Sequence, residues 1–193
     1  MKKILLIAAM VSLSPLAFAT TTIDFEQNSA YTQITNQYSA QDATFTNAME
    51  EVEPDFDYFD LPPHSGTGVI TNDSGNFDGL ADPITVDFAI PVELVTGWYA
   101  DGFGITVTAY SGLDGTGSVL GVYDGAAAYG SDAEFNLGVA GIESIVISDD
   151  GGQADDMVVD DLGYSVTPEP DSLILLGTGL LGMVGMMRRK LHR

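Results

Sequence analysis

The sequence predicts an all-β domain, an antiparallel β-sandwich, between Thr20 and Val166. Apolar residues in this stretch recur at every second position, glycine punctuates the runs, and no apolar stripe of helical period interrupts them. Strand-sized segments follow one another at intervals of about ten residues without an intervening helix, which argues against a parallel architecture.

Along the chain, Thr22-Ile23-Asp24-Phe25-Glu26 alternates polar with apolar and reads as the first strand. Glu50–Pro63 is acidic, aromatic and proline-containing and reads as a linker; Asn72–Gly79 is a loop by composition. Further strands are expected at Ile84–Phe88, Ile105–Tyr110 and Val119–Tyr123. The last two are joined by the glycine-rich loop Ser111–Ser118, as in an antiparallel hairpin. Ile142–Ser148 and Val158–Val166 close the series, for about eight or nine strands in all. No internal repeat is present, so a solenoid is not expected.

The two ends differ in kind from the middle. Met1–Ala19 has two lysines, an apolar stretch from Ile4 to Leu16 and the small-x-small sequence Ala17-Phe18-Ala19, the pattern of a secretory signal helix cleaved after export through the Sec translocon. Leu173–Met187 carries no charge. As a helix it would span about 22 Å, short of a ~30 Å hydrocarbon core unless Ser172 and a snorkelling Arg188 extend it. The expected organisation is a signal peptide at 1–19, an ectodomain at 20–166 and a sorting segment at 167–193, with a transmembrane helix at about 172–187 and a basic tail at 188–193. The basic tail would stay cytoplasmic and the domain outside.

Charge is distributed unevenly. The chain has 28 Asp plus Glu against six Lys plus Arg, a formal net charge of −22. The basic residues are Lys2, Lys3, Arg188, Arg189, Lys190 and Arg193, so none lies between Thr20 and Met187. A nucleic-acid partner is excluded, because nothing in the domain can neutralise phosphates. The anionic surface favours solubility at the cost of self-repulsion, which divalent cations relieve. The absence of cysteine excludes disulfides, thiol catalysis and thiolate zinc sites.

Pro168-Glu169-Pro170, a short glycine-containing apolar run and the terminal cluster with Arg188 and Arg189 together resemble the PEP-CTERM sorting signal of Gram-negative bacteria. Thr167 stands where that family more often has Val, and Asp171 where a small residue is frequent. The resemblance implies that an exosortase recognises the Pro-Glu-Pro segment and releases the ectodomain to the cell surface or exopolysaccharide matrix. The two prolines suit this role, since they remove backbone donors and keep the segment extended. A second resemblance covers the domain. Ile23–Glu26 and Val158–Val166 are similar to the first and last strands of carbohydrate-binding-module-like jelly rolls, Gly97–Tyr123 to their central hairpin and Gly141–Ile147 to their penultimate strand. It implies a jelly-roll-like sandwich with neighbouring chain ends, often with a structural calcium between them.

Candidate sites follow from the acids and aromatics. Positions two apart on a strand share a face, so Asp24 and Glu26 are expected to point together, and a last strand beside the first would let Asp160 or Asp161 complete a calcium cage. The alternative is a solvated strand edge. Asp149–Asp156 holds further carboxylates but departs from EF-hand spacing and reads as a hydrated loop. Trp98 and Tyr99 are the candidate sugar-stacking platform, against the alternative that Trp98 is a core ring. Catalysis is poorly provided for: His64 is the only imidazole outside the tail's His192, and no nucleophile elbow is present. The expected function is therefore a non-catalytic binding or structural component of the exopolysaccharide or biofilm. A glycan-active enzyme using paired carboxylates, or a coat protein without a specific ligand, are the alternatives.

Overall fold

The computed structural model describes residues 20–53, 61–72, 82–152 and 157–166, together with Gly177 and Gly179. The signal helix, the Pro-Glu-Pro segment and most of the expected membrane helix lie outside the described residues. Apart from those two glycines, the described residues belong to one compact unit, Ala19–Thr167.

That unit is an all-β, jelly-roll-like antiparallel sandwich. Its strands are β1 (Thr20–Ile23), β2 (Thr32–Ile34), β3 (Ala43–Thr46), β4 (Ala48–Val52), β5 (Gly68–Thr71), β6 (Ile84–Asp101), β7 (Gly104–Tyr110), β8 (Val119–Ala126), β9 (Ala133–Leu137), β10 (Ile142–Asp149) and β11 (Met157–Val166). One 3-10 turn, Ser39–Gln41, precedes β3. Every pairing among them is antiparallel.

The organising element is β6, 18 residues long. Its first part pairs with β3 and β10, and its second part, from Val92 onward, with β11 and β9. The change of partners falls at Ala89-Ile90-Pro91, all exposed, where Pro91 has no N–H to give a ladder. The expected strand Ile84–Phe88 is thus only the start of β6. The in–out alternation breaks at the crossover, which hides the continuation through Trp98 to Asp101.

The main core cluster is drawn from both parts of the sheet, and a smaller one joins Leu61, Val69, Ala100 and Val158. Phe88 of β6 packs on Tyr164 of β11 with ring centroids 5.0 Å apart, and Phe25, Tyr38 and Phe45 meet edge to face. Ile84, Ile105, Ile145, Ile147 and Phe135 are completely buried with them. Burial of each such side chain contributes about 1.5–3 kcal/mol, enough for an ordinary core to hold a cysteine-free domain. The Tyr164 hydroxyl donates to the Gln41 carbonyl, and burial pushes its pKa up to about 12.

The strand expected over Thr22–Glu26 instead ends at Ile23, paired with Leu162. Phe25 takes a left-handed φ of 52°, which turns the chain out of the ladder and drops its ring into the core.

Gly97 faces Phe135 across the β6–β9 ladder, and a Cβ there would lie 2.5 Å from the ring. Phe135 is fully buried and cannot move aside. Gly97→Ala should therefore cost about 1–3 kcal/mol, seen as a clear drop in Tm, whereas Gly138→Ala, whose Cβ would meet only Leu94 at 3.9 Å, should leave Tm almost unchanged. Equal Tm values for the two variants would contradict this packing.

Candidate functional site

The four carboxylates expected to cage calcium are placed by three different local structures. Asp24 and Glu26 lie beyond β1, both exposed, and Glu26 Oε1 accepts the backbone N–H groups of Thr67 and Gly68, each at 2.7 Å. The loop can come this close because Gly68 has no side chain: a Cβ there would strike the Phe25 carbonyl. Asp160 is 2% exposed; its Oδ2 accepts from Ser65 N and its Oδ1 from Asp161 N, both at 2.7 Å. A register shift between Asp160 and Gly163, with Asp161 at φ 47°, breaks the alternation and separates the directions of the two acids. Glu26 and Asp160 thus grip the same loop, Ser65–Gly68, from its two ends. Among the described residues no group of three or more His, Asp or Glu side chains is placed to share one metal ion.

Trp98 is half-buried in β6, opposite Asp160 of β11 and Glu134 of β9. The His64 ring stacks on it with centroids 3.6 Å apart and planes 5° from parallel. His64 Nδ1 donates to the Asp132 carboxylate, which holds the imidazole in place. One face of the only tryptophan is therefore covered by the protein's own imidazole. Tyr99 is buried and its hydroxyl donates to the Ala126 carbonyl at 2.9 Å; burial raises its pKa. It offers no open ring to a ligand. Nothing in the primary structure links His64 to Trp98 or Asp132, so this contact left no sign in the sequence.

A groove opens elsewhere, where the Ser111–Ser118 loop folds back over the sheet. Asp114 N donates to Asp87 Oδ1 at 2.7 Å, Gly115 N to Ser144 Oγ at 3.0 Å, and Ser144 Oγ in turn to the Gly112 carbonyl at 2.6 Å. These bonds fix the loop opposite the Ser39–Thr44 turn and leave a cavity of about 360 Å³ between them. Carboxylates of Asp42, Asp87 and Glu143 line it beside Leu113, Phe88 and Pro91. Burial raises the Asp87 pKa, opposed by the bond from Asp114 N. The chemistry is acceptor groups flanking an apolar wall, which suits a hydroxyl-bearing ligand with C–H faces. The glycine-rich loop was the sequence signal for this groove, but it read as a simple connector.

Residues 166–190 match the PEP-CTERM protein-sorting motif, a range that includes Pro168, Glu169, Pro170, Arg188 and Arg189. This marks an exported, exosortase-processed surface protein. No curated protein sequence matches the chain. The K2 cleaved adhesin domain of Lys-gingipain superposes with a TM-score of 0.51 at 15% identity, covering 76% of this chain and 99% of that one. The K1 cleaved adhesin domain of Lys-gingipain from Porphyromonas gingivalis W83 gives 0.50 at 11% identity, covering 78% and 99%. A family 35 carbohydrate-binding module from Clostridium thermocellum aligns at 0.39 and 11% identity over 77% of this chain and 99% of that one. The adhesin domains share this chain's fold.

Burial raises the Asp160 pKa from 3.8 to about 6, with the like charge of Asp161 adding to it and the N–H donors opposing it. The folded state therefore binds this proton more tightly than the unfolded state. Its stabilising contribution is complete below about pH 4 and is lost as pH rises through about 6. Tm at fixed ionic strength should rise between pH 7.5 and 5, and Asp160→Asn should flatten that rise. Parallel pH profiles for the two proteins would remove Asp160 from the account.

Proposed function

We propose that the chain is a non-catalytic binding module of the bacterial surface whose groove takes a neutral glycan. The precursor is exported, held in the inner membrane of a Gram-negative cell by its C-terminal segment, and cut by an exosortase. The ectodomain is then delivered to the cell surface or its exopolysaccharide. The observation that carries the binding reading is the groove itself: Asp42, Asp87 and Glu143 supply acceptors for sugar hydroxyls, while Leu113, 49% exposed, and Pro91 offer an apolar wall for the C–H face. Domains of this fold in Lys-gingipain are named adhesin domains, which is in keeping with a surface binding role.

Charge sets the ligand class. With no Lys or Arg in the domain, a polymer of uronates or sulfated sugars is repelled, and a neutral polysaccharide is favoured. Asp87 is the groove acid with a raised pKa, but its Oδ1 is committed to Asp114 N. It serves as a loop anchor, and this supports binding over glycoside hydrolysis.

Affinity electrophoresis of the protein in gels containing neutral or anionic polysaccharides tests the proposal. At least one neutral polymer should retard the protein. Glu143→Gln and Leu113→Ala should each weaken that binding by about tenfold, the loss of one charge-assisted hydrogen bond or one apolar contact. Retardation by no neutral polymer, retardation that ignores both substitutions, or release of reducing ends from the polymer would overturn it.

A further inference from the structure

Asp101 ends β6 at the turn into β7 and is completely buried. Its Oδ1 accepts the N–H groups of Phe103 and Gly104, which shape the turn. Its Oδ2 is buried and has no hydrogen-bond partner, alone in this respect among the described side-chain atoms. The other deeply buried acids differ. Glu50 receives Asn28 N and Nδ2, and both oxygens of Asp160 receive backbone N–H groups.

What stands beside Asp101 is another acid. Asp149, at the end of β10, is close enough for its carboxylate and that of Asp101 to interact as hydrogen-bonding groups. Asp149 Oδ1 accepts from Gly151 N at 2.7 Å, and Asp149 itself is half-buried, so the pair is reached from solvent on its side. Two carboxylates in contact, one of them dry, require a positive species between them. The sequence supplies none, because the domain has no Lys or Arg and its described imidazole, His64, is engaged by Asp132. Burial, against the pull of the Gly104 and Phe103 N–H groups and with the like charge of Asp149, raises the Asp101 pKa to about 6.

We propose that Asp101 and Asp149 bind a hard divalent cation of the calcium class at the β6–β7 turn. The donors are oxygens only, which selects against zinc and copper. Two carboxylates leave the remaining positions to water and backbone carbonyls, and calcium tolerates such an irregular shell better than magnesium does. This site is separate from the Asp24, Glu26, Asp160 and Asp161 set, whose acids grip the Ser65–Gly68 loop through backbone N–H groups instead.

The test uses the purified full-length chain, stripped with EDTA and titrated calorimetrically with calcium chloride. Tm is followed in EDTA, in calcium and in magnesium at equal ionic strength. The expected result is one saturable calcium site and a Tm rise of several degrees that magnesium does not match. Asp101→Asn should abolish both. In EDTA it should also melt above the wild type, since a neutral amide removes the like-charge repulsion between the two side chains. Asp149→Asn, at a less buried position, should lose calcium binding too and covers the case in which Asp101→Asn fails to fold. Glu26→Gln and Asp160→Asn should retain calcium binding. The proposal is overturned by equal responses to calcium and magnesium, which would mean screening of a polyanion or a shared proton. It is also overturned by calcium binding that survives Asp149→Asn, or that disappears in Glu26→Gln or Asp160→Asn.

Discussion

The constraint on which the rest of this structure depends is the absence of an internal cation. From Thr20 to Met187 there is no Lys or Arg, so acids that approach the core can be answered only by N–H groups, hydroxyls or ions from solution. The fold answers most of them with backbone N–H groups. Glu26 holds Thr67 and Gly68, Asp87 holds Asp114, Asp160 holds Ser65, and Glu50 holds Asn28. A hydrogen bond to an ionised acceptor contributes about 1.5–3 kcal/mol, more than a neutral one. In this domain the carboxylates act as loop clamps, a task that surface salt bridges could not perform without basic partners.

Apart from the exposed Glu26, these clamps are buried or half-buried, and burial disfavours the charged form. Asp101, Asp160, Asp87 and Glu50 are all shifted upward by loss of solvent. The domain therefore trades some stability at neutral pH for fixed loops. That exchange serves a surface protein well: the Ser111–Ser118 loop, pinned to Asp87 and Ser144, is the wall of the groove and is held in place before any ligand arrives. A polyanionic exterior disfavours association with acidic polymers.

The strands were legible because their information is local. Ile84–Phe88, Ile105–Tyr110, Ile142–Ser148 and Val158–Val166 all fall within observed strands, since β-branched alternation is a property of neighbouring residues. The length of β6 was not legible, because Ala89-Ile90-Pro91 interrupts the pattern at the point where the strand changes partners. β2, β3, β4 and β5 are three to five residues long, too short for periodicity to register. The sites suffered more, because they are built from long-range contacts. Alternation predicted that Asp24 and Glu26 share a strand face, but Phe25 adopts a left-handed φ and ends the strand. His64 meets Asp132 across 68 positions of sequence, and Ser65 meets Asp160 across 95. No spacing rule reaches that far. The sorting segment was legible for the opposite reason: its pattern is carried by neighbouring residues, and its match covers residues 166–190.

The central claim is that acidic side chains hold the loops through backbone N–H groups, and amide hydrogen exchange followed residue by residue tests it most directly. Thr67, Gly68, Asp114 and Ser65 lie outside the strand ladders or at their ends, yet their amides should exchange slowly, because each is capped by a carboxylate. Glu26→Gln should speed Thr67 and Gly68 while leaving Asp114 as it was. Exchange of these amides at the rate of open loop residues, or a Glu26→Gln protein with an unchanged pattern, would contradict the account.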